Sequence, residues 1–93
     1  MVIGILTMEF TLHDNFSLKG KRNVANSLKR KLRNKFNVAV AEVDGQDNCA
    51  RLVLAAVTVS NTRVSVESRL TKALAMVEAI SPEELTDSCI EFV

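Results

Sequence analysis

The hydrophobic spacing of this chain alternates between two periods in a fixed order, and that order restricts the fold more than any other feature. Apolar and polar residues alternate over Val2–Leu12, which is the period of a half-buried strand. The spacing becomes helical from about Leu18 to Phe36, where one apolar stripe recurs every three or four residues. Ser17 stands directly before this segment and is a favoured helix N-cap. The first part of the chain therefore predicts a strand followed by an amphipathic helix.

The rest of the chain predicts two more strands, a second helix and a final strand. Val38–Val43 and Arg51–Ser60 are rich in strand-forming residues, and the polar turn between them predicts a hairpin. Apolar residues over Val66–Ile80 recur at helical spacing, and Pro82 ends that helix. A short acidic stretch then precedes a last alternating segment, Ser88–Val93. The predicted order of elements is βαββαβ.

This order predicts an α+β fold of the ferredoxin-like type. With right-handed crossovers, its simplest arrangement is a sandwich of one four-stranded antiparallel sheet with two helices on one face. A chain of 93 residues supplies one two-layer core, and an apolar fraction of 47% is ordinary for a folded domain. We therefore expect a single ferredoxin-like domain over residues 1–93, in which one sheet face has no helix over it.

The uncovered sheet face is expected to bind another chain. If Val2, Leu6, Val53 and Val57 point toward the helices, five aliphatic residues face solvent together with three others. The eight are Ile3, Ile5, Leu52, Leu54, Ala56, Thr7, Glu9 and Thr58. An apolar patch of that kind is uncommon on a monomer. The sequence thus predicts a homodimer or higher oligomer formed through this face or through an edge strand.

Positive charge is concentrated in the first predicted helix. Eight of the twelve Lys and Arg residues lie between Lys19 and Lys35, and no Asp or Glu lies between Asn15 and Ala41, although the net charge is only +1. The local field there is therefore far more positive than the whole chain suggests. At 100° per residue, one face of the helix carries Lys19, Arg22, Lys29, Arg30 and Arg33.

Three interpretations of this basic helix remain open. It can lie along the phosphates of RNA or another polyanion, it can be a solvated surface, or it can bind an acidic protein. The missing carboxylates favour a polyanion, because a typical solvated helix mixes both signs of charge. Free N–H groups at the helix start add a second way to hold phosphate, although ordinary N-capping explains the same residues. The predicted polyanion contacts are Lys19, Lys21, Arg22, Lys29, Arg30 and Arg33.

No motif predicts catalysis. The chain has neither of the glycine-rich phosphate-binding motifs of nucleotide enzymes, and no Trp or Tyr that an RNA-recognition sheet would use for stacking. Glu83 and Glu84 follow Pro82 in a predicted loop, and adjacent loop residues do not define an acid-base pair. We expect a protein that is not an enzyme and that uses no cofactor, and the sequence identifies no small-molecule substrate.

Residue types that bind metals gather at one end of the predicted sheet. They come from two turns and have no motif spacing: His13, Asp14, Asp44, Asp47 and Cys49. Turns favour Asp for local hydrogen bonding, so we predict turn residues and no metal. The two hairpin aspartates then form the turn or pair with lysines at the start of the first helix.

Cysteine usage and hydropathy predict a cytoplasmic protein that does not enter a membrane. Cys49 and Cys89 are expected about 9 to 10 Å apart, at two inter-strand spacings, which is too far for a disulfide. Two cysteines without CxxC spacing suit neither a disulfide framework nor a zinc site. The apolar run Val2–Leu6 is about a third of the length that a membrane span or signal sequence needs.

Four short segments, in order along nearly the whole chain, carry a family resemblance. They are Ser17–Arg22, Arg33–Val38, Ala41–Asp47 and Val59–Asn61. These segments resemble the YlxP-like family of small bacterial proteins of unassigned function. The resemblance implies a ferredoxin-like fold, no assigned catalytic residues, and in some bacteria a gene neighbourhood concerned with transcription elongation, translation initiation and ribosome maturation. The chain departs from the family at Cys49-Ala50, where Trp-Gln is frequent, so any partner contact of that Trp is altered here.

Taken together, these features predict a non-enzymatic accessory protein that associates with RNA or the ribosome through its basic first helix. The alternative is a homo-oligomeric interaction module that docks a protein through its open sheet face or an edge strand. In that case the basic helix is merely exposed.

Overall fold

The computed structural model describes residues 1–93 and contains six elements in the predicted order. They are β1 (Val2–Thr11), α1 (Leu18–Lys35), β2 (Ala39–Asp44), β3 (Arg51–Ser60), α2 (Arg63–Ile80) and β4 (Glu84–Phe92). The strands form one antiparallel sheet in the order β2-β3-β1-β4, and both helices pack on the same face of it. The predicted ferredoxin-like βαββαβ fold is confirmed.

The two helices begin in the same way. Ser17 Oγ accepts a hydrogen bond from the backbone N of Gly20 at 3.0 Å, and Thr62 Oγ1 accepts one from the backbone N of Ser65 at 3.2 Å. Each hydroxyl thereby satisfies one of the N–H groups that a helix start leaves unpaired. Neither helix has the length and apolar character needed to cross a membrane.

The core lies between the helices and the even-numbered residues of β1. Leu6, Met8 and Phe10 are fully buried there, as the sequence predicted. Gly4 lets α2 approach β1 closely, because a Cβ at this position would clash with Cγ1 of Val66 and lie 2.8 Å from Cδ1 of Leu70.

The side-chain directions predicted for β3 were wrong. The sequence pointed Val53 and Val57 toward the helices, whereas the residues that face the helices are Leu52, Leu54, Ala56 and Thr58. Directly opposed residues of antiparallel strands share a face. Leu6 is opposite Ala56, so the even residues of β3 join the even residues of β1 in the core. β3 is apolar at both parities, so its pattern does not determine which side is buried.

The opposite side of the sheet, here called the open face, has no helix over it. Its apolar residues come from three strands: Ile3, Ile5, Ala39, Ala41, Val53, Ala55, Val57 and Val59. Val57 is 37% exposed and Val59 is 50% exposed. Thr7 and Glu9 lie on the same side, as predicted. The open face is therefore apolar as expected, but valines of β3 replace the predicted leucines.

The strand β4 begins earlier than predicted. The sequence placed its start at Ser88 and left Glu84 in a loop, whereas Glu84 already pairs with Thr11 of β1. A register shift leaves Thr86 as an extra residue, and its Oγ1 donates to the carbonyl of Glu9 at 3.2 Å. One inserted residue reverses the alternation of side chains along a strand. The first half of β4 therefore does not continue the alternation of its second half, and the sequence pattern did not predict it.

Candidate nucleic-acid interface

The helix α1 forms because an apolar stripe packs on the sheet, and its charges contribute little to this. Ala25, Leu28 and Leu32 are buried against the sheet. Arg33 and Lys35 in the last turn interact favourably with the helix dipole, but Lys19 lies in the first turn, which contains no acidic residue and where a cation is unfavourable. Helix stability therefore does not account for positive charge along the whole of α1.

Seven of the eight bases in α1 have no ion-pair partner. The protein contains four side-chain ion pairs or His–carboxylate contacts, and the one that involves α1 belongs to Lys21. We define the basic face as the five predicted residues that lie along the outer side of α1: Lys19, Arg22, Lys29, Arg30 and Arg33. All are exposed except Lys29, which is half-buried. The basic face thus presents positive charge that no carboxylate neutralises.

Arg33 connects the basic face to the edge of the sheet. Its Nη2 donates to the backbone carbonyl of Val40 at 2.8 Å, and Val40 lies in the edge strand β2. A guanidinium has five N–H donors, so this bond leaves several for another partner. The bond fixes this end of the basic face beside the sheet.

Lys21 does not belong to the basic face. Its side chain is 3% exposed, and its Nζ lies 2.8 Å from Oε2 of Glu42. The same Nζ donates to four hairpin carbonyls at 2.6 to 3.3 Å, namely those of Gly45, Gln46, Asn48 and Arg51. An ammonium has three protons, and the four carbonyls share them. Glu42 Oε2 therefore attracts the ammonium electrostatically but has no aligned hydrogen bond from it. The phosphate contact predicted for Lys21 is not supported, because no donor remains free.

The hairpin loop that surrounds Lys21 is shaped by Gly45. Gly45 has φ of 68°, a left-handed conformation that glycine adopts without steric cost. Its backbone N donates to Asp44 Oδ1 at 2.8 Å, and Asn48 N donates to the Gly45 carbonyl at 3.0 Å. Asp44 also lies 3.4 Å from Arg51 Nη1, so it serves the turn and pairs with Arg51 instead of a lysine of α1.

The start of α1 is closed by the loop before it. Asn15 Nδ2 donates to the carbonyl of Ser17 at 2.8 Å and to that of Cys49 at 2.6 Å. A Cβ on Gly20 would clash with Asn15 Oδ1, so the space beside this glycine is filled by Asn15. The arrangement supports ordinary capping at the helix start, and the small size of Gly20 serves that packing.

The five side chains considered as metal ligands are not brought together. His13 Nε2 lies 2.7 Å from Glu84 Oε1, while Asp44 pairs with Arg51. No group of three or more His, Cys, Asp or Glu side chains is close enough to hold a metal ion. Cys49 is half-buried and Cys89 is exposed, and both are free.

Arg51 is the remaining base near the hairpin, and its guanidinium pairs with Glu9 and Asp44. Its Nη2 donates to Glu9 Oε1 at 3.0 Å. This hydrogen bond is the main reason that the pKa of Arg51 is raised above its ordinary value, and Asp44 acts in the same direction. Arg51 therefore differs from the seven bases of α1 other than Lys21, which have no carboxylate partner.

Sequence reasoning placed the whole positive surface on α1 and missed two bases of α2. Arg69 and Lys72 line a groove with Phe36, which directly follows α1. They flank the buried residues Leu70 and Ala73, so their place beside the apolar stripe of α2 was available from helical spacing.

A sequence model of one protein family matches residues 3–90, and the description of that family is "Protein of unknown function (DUF503)". The chain belongs to the DUF503 family. The resemblance predicted from the short segments is confirmed by a bacterial relative, the uncharacterized protein YlxP of Bacillus subtilis (strain 168). This relative is 34% identical over 85 residues, which are 91% of this chain and 92% of that protein.

Two solved structures share the fold of this DUF503 protein. One is a dimeric protein of unknown function and ferredoxin-like fold from Bacteroides fragilis, with a TM-score of 0.51 and 13% identity over 99% of this chain and 94% of that one. The other is SnoaB, a cofactor-independent oxygenase from Streptomyces nogalater, with a TM-score of 0.51 and 12% identity over 99% of this chain and 90% of that one. Likeness at these identities shows the fold alone.

Proposed function

We propose that this DUF503 protein is a cytoplasmic, non-enzymatic accessory protein that binds RNA through the basic face of α1, with a ribosomal subunit as the source of that RNA. The observation that carries the proposal is the lack of any ion pair on the basic face. The chain has eleven carboxylates for its twelve bases, yet those carboxylates lie elsewhere in the fold.

The dimensions of the basic face suit a run of phosphates. Lys19 and Arg33 are fourteen residues apart, which corresponds to about 21 Å along a helix. Bases three or four residues apart are about 5 to 6 Å from each other, so several can contact successive phosphates. Such contacts release counterions and give affinity that falls with salt, and they do not distinguish one RNA sequence from another. Discrimination between one RNA and another would then depend on the shape of the RNA.

The test is co-sedimentation with purified ribosomal subunits at rising salt. The basic-face variant is Arg22→Gln/Arg30→Gln, and the matched control is Lys31→Gln/Lys35→Gln, which removes the same charge from the same helix outside the basic face. We expect the natural protein and the control to sediment with a subunit at low salt and to dissociate as salt rises. The basic-face variant should bind at least about tenfold more weakly. Equal binding by both variants, or no sedimentation of the natural protein, would contradict the proposal.

We propose separately that a second copy of this chain covers the open face. The supporting observation is the exposure of Val57 and Val59 on a sheet face that no element of the chain covers. Burying both valines in a dimer removes apolar surface from water, which favours association. The Bacteroides fragilis protein of the same fold is described as dimeric, which is consistent with this role. Association through the open face leaves α1 exposed, so it is compatible with RNA binding.

The oligomeric state tests this second proposal directly. Sedimentation equilibrium should give a dimer for the natural protein and a monomer for Val57→Asp, because the aspartate places a charge in the apolar contact. Val64→Asp is the matched control, since Val64 is 78% exposed on α2, away from the open face. A monomeric natural protein, or a Val57→Asp variant that still dimerises, would sink the proposal.

A further inference from the structure

A groove of about 500 Å³ lies between the end of α1 and the first half of α2. Six residues line it: Phe36, Val64, Ser65, Ser68, Arg69 and Lys72. The lining therefore combines two cations and two hydroxyls with an aromatic and an aliphatic wall, and it contains no carboxylate. Its volume lies within the range of about 300 to 1,000 Å³ that small-molecule sites occupy.

Arg69 is held in place by neutral oxygens only. Its Nη1 donates to Thr58 Oγ1 at 2.6 Å and to the carbonyl of Val59 at 3.2 Å. Thr58 is 4% exposed and in turn donates to the carbonyl of Asn37 at 2.8 Å, so its hydroxyl is fixed from both sides. The guanidinium is thereby oriented without being neutralised, and its other nitrogens make no hydrogen bond within the protein. An oriented cation with free donors is prepared to bind an anion.

The other donors of the groove are aligned with Arg69. Ser68 and Arg69 lie three and four residues after Ser65, and Lys72 lies four and three residues after them, so the four residues share one side of α2. Lys72 is exposed and has no ion pair. Ser65 Oγ accepts a hydrogen bond from Thr62 Oγ1 at 2.9 Å, which leaves the Ser65 hydroxyl proton available to another acceptor.

We propose that this groove binds a nucleoside phosphate, with Arg69 and Lys72 contacting the phosphate and the Ser65 and Ser68 hydroxyls donating to its oxygens. A guanidinium matches phosphate geometry in a fork, which favours phosphate over a smaller anion. Phe36 supplies an apolar wall against which a base can pack, since bases stack on aromatic side chains. The proposal goes beyond the proposed function, because none of these residues belongs to the basic face.

The test follows backbone amide signals of isotope-labelled protein by NMR during titration with adenosine monophosphate. We expect saturable shifts at Ser65 to Lys72 with a dissociation constant of about 1 mM or lower, and at least about tenfold weaker binding of both adenosine and inorganic phosphate. Arg69→Lys keeps a cation but loses the fork and should weaken binding at least about fivefold. Lys72→Gln leaves the hydrogen bonds of Arg69 intact and should weaken nucleotide binding about threefold or more. A folding defect in the Arg69→Lys variant therefore cannot decide the result.

Further titrations show whether the phosphate belongs to an RNA end or to a free nucleotide. They also distinguish the groove proposal from the basic-face proposal. Tighter binding of a 5′-phosphorylated RNA than of its 5′-hydroxyl form, lost in the Lys72→Gln variant, would identify the end of an RNA strand. Equal binding of the two RNAs with full response to the mononucleotide would identify a free nucleotide. The Arg22→Gln/Arg30→Gln variant should keep its response to the mononucleotide even where it loses RNA. Absence of saturable shifts in the natural protein, or unchanged binding in both groove variants, would overturn the groove proposal and leave the basic-face proposal standing.

Discussion

The two helices lie on the same sheet face and have the same length of 18 residues, but their charges differ completely. The helix α1 contains eight bases and no acid. The helix α2 contains three bases and two acids: Arg63, Arg69, Lys72, Glu67 and Glu78. Both start at a hydroxyl cap and both bury an apolar stripe. Because α2 docks in this fold with mixed charges, the single sign of α1 is not a requirement of folding.

The helices also differ in how they are attached. The helix α2 approaches β1 at Gly4, where Val66 and Leu70 fill the space that a side chain would need. The helix α1 uses the ammonium of Lys21, which binds Glu42 and the hairpin carbonyls. The charge of one base of α1 is therefore engaged within the fold, whereas the charges of the basic face have no carboxylate partner.

Replacing Lys21 should have the largest effect on stability. Lys21→Met leaves the inaccessible Oε2 of Glu42 and the part-buried hairpin carbonyls without their cation, so we expect the free energy of unfolding to fall by about 3 to 5 kcal/mol. Denaturant unfolding followed by circular dichroism measures it. Lys19→Met, two residues away and exposed, is the control and should change stability by less than about 0.5 kcal/mol. Similar losses in the two variants would show that the attachment of α1 does not depend on Lys21.

Filling the space at Gly4 tests the attachment of α2. Gly4→Ala should lower the free energy of unfolding by about 1 to 3 kcal/mol, because the added methyl group overpacks the contact with Val66 and Leu70. The double variant Gly4→Ala/Val66→Ala should lose less than the sum of the single losses, since the truncated valine makes room. Strictly additive losses in a thermal or denaturant melt would argue against a close contact here.

The two helix caps should contribute nearly equally to stability, although the two helices differ in charge. Ser17→Ala and Thr62→Ala each remove one hydroxyl acceptor from a helix start, and each should lower the free energy of unfolding by about 1 kcal/mol. Amide hydrogen exchange in the first turn of each helix should become faster in the corresponding variant only. A much larger loss at one cap would mean that the two helix starts are stabilised by different interactions.

Neutralising the basic face should have the smallest effect on stability. The Arg22→Gln/Arg30→Gln variant should unfold within about 0.5 kcal/mol of the natural protein, because neither side chain has a hydrogen bond or ion pair within the protein. A loss of more than about 1 kcal/mol in a denaturant melt would show that these bases serve the fold.

Much of the architecture followed from local patterns, and the errors have identifiable physical causes. Alternation placed β1 correctly because Thr7 and Glu9 mark its outer side. β3 has no such marker among its central residues, so its buried side is set by pairing with β1. The start of β4 was missed because Thr86 interrupts the alternation. Each error concerns tertiary pairing that no single segment encodes.

The candidate site was predictable as a charged helix, but the roles of its individual residues were not. Lys21 and Arg22 are neighbours with the same charge, yet Lys21 is buried in the hairpin and Arg22 is exposed. Their difference depends on the position of Glu42 and on the loop at Gly45, both distant in sequence. Arg69 was missed for a similar reason, because its orientation comes from Thr58 on β3.

The salt dependence of RNA binding tests the central claim most directly. Fluorescence anisotropy with a labelled single-stranded RNA gives the binding constant of the natural protein and of the Arg22→Gln/Arg30→Gln and Lys31→Gln/Lys35→Gln variants over a range of salt concentrations. If the basic face contacts phosphates, the slope of log K against log salt should become less steep by about 0.7 for each contact removed, and only in the first variant. An unchanged slope in that variant, with the RNA still bound, would show that the unpaired charges of α1 do not contact the RNA.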